Sequence, residues 1–187
     1  WPLPCGQDRA AHRIIFEKDE PGALKVIATD GTIAATERPS PLDGRVLHLA
    51  DDLFTDDALV WAPVESQSVR YGVEGAPQLD IAFPDTPRLG IWTKPGAAYV
   101  CVEPWHGIAD PEGFDGEYRD KPGVFPVAGG ASKTIAMHVT LRQLRSRTAG
   151  ILRHHLLEDA TRLVVVAQAA LDIGKLEQRI GHLGVVR

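Results

Sequence analysis

Residues 89–113 read LGIWTKPGAAYVCVEPWHGIADPEG, and their pattern decides what kind of fold this chain builds. The apolar run at 89–93 predicts a strand, Pro95-Gly96 a turn, and 97–102 a second strand beside the first. Two strands joined by so short a turn pair antiparallel. The second delivers one carboxylate, Glu103, followed at once by Pro104, Trp105, His106 and Gly107. On this reading Glu103 stands at a strand end, and Trp105-His106 lie beyond strand alternation.

Upstream the same grammar repeats. Runs of β-branched and aliphatic residues at 12–17 and 24–28 precede Asp30-Gly31, a strong hairpin signal that leads into 32–36. Asp43-Gly44 does the same before 45–49. Further strands are expected at 58–62, 68–73 and 78–83, the last two flanking Gly75-Ala76-Pro77. In 78–83, alternation puts Leu79, Ile81 and Phe83 on one face and Gln78 and Asp80 on the other. Downstream, 108–130 is rich in Gly, Pro and Asp and reads as loop, and 133–141 alternates again as a closing strand. Short strands at this spacing predict an all-β, antiparallel sandwich or barrel rather than a βαβ fold.

Beyond residue 141 the period changes. Leu152, Leu156, Ala160, Leu163, Ala167 and Ala170 fall on one helical stripe, although the β-branched run 164–166 weakens it. The charge changes too. Residues 142–187 carry a net +4, leaving −9 on residues 1–141, and every aromatic residue lies at or before Phe125. Two compositions are joined here, so 1–141 is expected to be the β domain and 142–187 a helical extension.

Composition excludes several classes. A net charge of −5 argues against a nucleic-acid partner, whose phosphates need clustered Lys and Arg. No apolar run approaches a membrane span and no signal segment is visible. Cys5 and Cys101 are too few for a disulfide framework. Cys101 reads as a small core residue, which makes a reducing, cytoplasmic setting the simpler expectation. There is no GxSxG elbow, phosphate-binding Gly loop, HExxH or zinc-type Cys pair.

What remains is the carboxylate with its rings. An acid beside an indole and an imidazole suits a sugar pocket, where aromatic faces pack on C–H groups and polar tips take hydroxyls. On spacing alone Glu103 is either a solvated carboxylate at the sheet rim or a general base. His106 is either a pocket ligand or a histidine satisfied by backbone. The acidic group Asp51, Asp52, Asp56 and Asp57 lacks the ligand alternation of a calcium loop, and Asp57 is best placed to reach sugar hydroxyls. His154-His155 are adjacent and would face apart on a helix, so they form no metal site alone.

The stretch LGIWTKPGAAYVCVEPWHGIADPEG resembles the C-terminal signature of the aldose 1-epimerase (galactose mutarotase) family, in its bacterial LacX-like branch. FTDDALVW, QSVRY and LDIAFPDTPRLGIWTKP follow in the order of that branch, and WPLPCG resembles the segment after the family's N-terminal His-Pro-x-Phe motif. The likeness covers roughly residues 1–141 and is most specific at EPWHGIADP.

The resemblance implies an antiparallel β-supersandwich truncated at its N-terminus. It implies interconversion of α and β anomers of a free monosaccharide without a cofactor. Glu103 matches the family's base, and Asp57 matches an aspartate that bonds sugar hydroxyls. Trp92, Trp105 and His106 line the pocket by position. The family's general-acid histidine falls before residue 1, so impaired activity is expected of this chain. The alternative reading is a non-catalytic carbohydrate-binding domain of the same fold.

Overall fold

The computed structural model describes residues 1–3 and 8–142. The expected tail helix lies outside the described residues. Among the described residues ten strands form two five-stranded antiparallel sheets: β1 (His12–Phe16), β2 (Leu24–Ile27), β3 (Ile33–Arg38), β4 (Val46–His48), β5 (Leu59–Trp61), β6 (Ser68–Val73), β7 (Gln78–Ala82), β8 (Arg88–Trp92), β9 (Cys101–Trp105) and β10 (His138–Arg142). One sheet runs in the order β10-β7-β6-β1-β4, the other β3-β2-β5-β8-β9.

The two sheets are held face to face by the alternation the sequence carries. Ile14, Phe16, Val69, Tyr71, Ile81 and Val139 point inward from the first sheet, and Leu24, Leu59, Trp61, Leu89, Ile91 and Val102 from the second. Phe16 meets Trp61 across the interface at 4.8 Å between ring centroids. Tyr71 is buried, and burial pushes its phenol up to about 12. It stays protonated at ordinary pH and donates to the Pro2 carbonyl at 2.8 Å, tying the chain start to β6.

The turns follow the residues that predict them. Gly31 sits at φ 85°, and the Asp30 carboxylate accepts from the Thr32 N–H at 3.0 Å and its hydroxyl at 2.7 Å. Around Pro95-Gly96, the Ala97 N–H donates to the Lys94 carbonyl at 2.9 Å with Gly96 at φ 78°, the requirement of a type II turn.

Three sequence expectations need correction. The strand expected at 97–102 is β9, Cys101–Trp105, so Glu103 sits mid-strand rather than at a tip. Residues 97–100 instead pair with the chain start: Leu3 N–H bonds the Ala98 carbonyl at 3.1 Å, and Val100 N–H the Trp1 carbonyl at 2.7 Å. The buried Arg9 fixes them further through the Ala97 and Tyr99 carbonyls and an ion pair to Asp51. Pro104 is admissible inside β9 because, among the described residues, that strand has a neighbour along its length only on the β8 side. Trp105 therefore obeys strand alternation after all. The closing strand is shorter than 133–141, because its partner β7 offers only Gln78–Ala82 for pairing.

Candidate functional site

Antiparallel register builds the site. Trp92 pairs with Cys101, Gly90 with Glu103, and Arg88 with Trp105, while Leu89 and Ile91 pair with Pro104 and Val102 on the core side. Period two then places Cys101, Glu103 and Trp105 together on the face turned away from the core, with Trp92, Gly90 and Arg88 beside them. Cys101 is thus half-buried on the Glu103 face and not in the core, contrary to the sequence reading.

Glu103 is half-buried, and its Oε2 accepts a hydrogen bond from Trp105 Nε1 at 3.2 Å. An indole donor to a carboxylate holds it in one orientation and leaves its other lone pairs available. Beyond the indole, Pro104–Ala109 and the β2–β3 residues Ile27 and Ile33 line a groove of about 480 Å³. That volume falls in the range of small-ligand sites, about 300–1,000 Å³. The wall is apolar apart from His106.

His106 stands over Phe125 with 4.2 Å between rings, and its Nδ1 is buried with no partner among the described residues. Its carbonyl accepts from Arg88, which fixes the chain just after Trp105. A buried ring nitrogen without a partner is unusual.

Asp57 and Trp92 lie elsewhere on this face. Asp57 is exposed just before β5, at φ 74°, a left-handed conformation costly for a non-glycine residue. Its Oδ1 accepts from the Ala58 N–H at 2.7 Å, and it opens onto a second hollow of about 720 Å³ with Arg38 and Ile27. Glu103 reaches that corner only across Gly90 and Val60, two strands over, and then three residues along. At normal strand spacings the Cα separation is on the order of 14 Å. Glu103, Trp105 and His106 are brought together, and Asp57 is not. Trp92 packs on Tyr99 at 6.3 Å, toward the Asp57 end. Among the described residues no group of three or more His, Cys, Asp or Glu side chains is arranged to hold a metal.

Sequence reasoning missed the Cys101–Glu103 adjacency, although i, i+2 spacing on a strand carries it. Burial and then the Glu103 carboxylate push the Cys101 thiol up. In a Cys5→Ser background, Cys101 should be alkylated more slowly than a free cysteine at mildly alkaline pH. Glu103→Gln should speed that reaction about twofold or more, because removing the negative charge favours the thiolate. Equal rates in both proteins would place the carboxylate elsewhere.

The two-layer antiparallel sandwich is similar in fold to solved galactose mutarotase-like structures. The chain is similar to a galactose mutarotase-like protein from Lactobacillus casei ATCC 334, with a TM-score of 0.63 and 22% identity over 71% of this chain and 47% of that one. It is similar also to a galactose mutarotase related enzyme from Lactobacillus acidophilus, with a TM-score of 0.65 and 24% identity over 76% and 49%. The chain spans about half the length of the solved structures it matches. No family model and no curated protein matches it. Likeness at this identity shows the fold.

Proposed function

We propose that this chain carries the base of an aldose 1-epimerase-like isomerase acting on a free monosaccharide. The observation that carries the reading is the Glu103 carboxylate, held by Trp105 Nε1 at 3.2 Å beside an apolar groove. In the proposed step Glu103 takes the proton of the anomeric hydroxyl while the bond from C1 to the ring oxygen breaks and that oxygen gains a proton. The aldehyde forms, rotation about C1–C2 exposes its other face, and reclosure returns both protons. The step needs an acid and a base and calls on no cofactor.

The family resemblance gives the role of acid to a histidine, and Glu103 would need such a partner to complete the step. Trp105 and His106 would receive the sugar at the groove. Asp57 would open onto the separate hollow at the far end of the face, with Trp92 toward that end, and would not reach a monosaccharide seated in this groove. The β domain would be 1–141, with 142–187 an appended extension. Among the described residues no helix is long and apolar enough to cross a membrane. A cytoplasmic site without nucleic-acid or membrane partners fits the proposal.

One observation favours a second reading, a carbohydrate-binding domain without turnover. The groove is lined by Trp105 and His106 but not by Glu103, which stands at the Nε1 edge of the indole. Exchange spectroscopy on the anomeric protons of glucose or galactose separates the two. Exchange above the buffer rate that depends on Glu103 supports the isomerase, and saturable binding without exchange supports the binding domain.

A further inference from the structure

Gly90 interrupts an otherwise bulky strand, and its backbone is not in the left-handed region, so conformation alone does not call for glycine. Space does. A Cβ at Gly90 would stand 2.6 Å from Trp105 Cζ2, 2.9 Å from Cη2 and 3.0 Å from Cε2. These are rigid ring atoms that cannot swing aside as a flexible chain end does. The indole therefore lies against the bare backbone of β8.

Register explains what this close approach achieves. Trp105 is paired with Arg88, whereas Gly90 is paired with Glu103. The Trp105 side chain leans diagonally across the ladder, back over the Glu103 row, and that lean brings Nε1 to 3.2 Å from the carboxylate. Glycine in a strand interior commonly marks such a contact. We propose that Gly90 is a positioning residue, the seat on which the Trp105 indole rests so that its Nε1 can hold the Glu103 carboxylate in one orientation. The proposal rests on the reading of Glu103 as the working base. A methyl group at position 90 would lift the ring and release the carboxylate while leaving the core face of β8, Leu89 and Ile91, untouched.

The test uses the full, ¹⁵N-labelled chain without sugar. Each of its four tryptophans carries one indole N–H, and the Trp105 signal is the one lost in Trp105→Phe. Glu103→Ala and Gly90→Ala should each move that signal upfield, and the double variant should add nothing to Gly90→Ala, with the Trp61 signal unmoved throughout. In the presence of an aldose, Gly90→Ala should lower anomer exchange about tenfold or more. The proposal is overturned if Gly90→Ala leaves the Trp105 signal in place, or if Glu103→Ala moves it as far in the Gly90→Ala background as in the wild type. Should Gly90→Ala not fold, Glu103→Ala alone decides, since an unmoved Trp105 signal removes the bond the seat would serve. If the wild type itself shows no anomer exchange, the isomerase reading fails while the indole shifts still judge the seat.

Discussion

Glu103→Gln is expected to bring α/β exchange on a free aldose down to the buffer rate, since one positioned acid or base contributes up to about 10²–10⁴-fold, while aldose affinity changes little. Glutamine keeps the shape of the side chain and an oxygen able to accept from Trp105 Nε1. What it loses is the proton-accepting capacity proposed for Glu103. The substitution therefore separates chemistry from binding, which Glu103→Ala would blur by freeing the indole as well. The measurement is the build-up of exchange cross-peaks between the two anomeric protons, alongside a binding titration. Equal exchange in both proteins would mean that Glu103 is not the base. A parallel loss of affinity would mean that the carboxylate binds rather than reacts.

The second large effect concerns the sandwich. Trp61→Ala should destabilise the protein by about 3–5 kcal/mol, the cost of emptying a large aromatic site in a packed core. Trp61 is 1% exposed, belongs to the three-residue strand β5, and meets Phe16 across the sheets. It is the largest fully buried side chain of the interface, and β5 joins β2 to β8. Total stability of ordinary domains is only about 5–15 kcal/mol, so this one change consumes much of it. Thermal unfolding followed by circular dichroism should show a midpoint lower by on the order of 10 °C. Trp92→Ala, at a half-buried position on the outer face, should cost far less. Equal losses would contradict the assignment of the two faces.

Much of the architecture is written locally in the chain. Asp30-Gly31 and Pro95-Gly96 fix their turns because only certain residues adopt the backbone those turns require. Alternation in 78–83 places Ile81 and Phe83 in the core because a strand's side chains can point only two ways. The limits of strands are less legible, since they depend on partners. Nothing within 97–102 reveals that Ala97–Val100 would be claimed by Trp1–Leu3 and Arg9, which shifts the ladder onto Glu103 and Trp105. The pairing order of the sheets is likewise non-local. Of the candidate site, the run of acid, indole and imidazole itself pointed to Glu103, Trp105 and His106, the family resemblance added the role of base, and register brings the three together. The same resemblance put Asp57 beside them, but sequence proximity to a strand entry carries no information about which end of the face it occupies. Gly90 was invisible because a missing side chain has meaning only next to what fills its space.

The account depends on a sugar lying in the groove between Trp105 and Ile33, beside the held carboxylate. The direct measurement is an aldose titration followed on the four indole N–H resonances. The account predicts a saturable shift of the Trp105 signal, none at Trp61, and a matching change in the His106 ring protons. A titration in which the Trp105 signal stays fixed to the highest sugar concentration, or moves no more than that of Trp61, would contradict it.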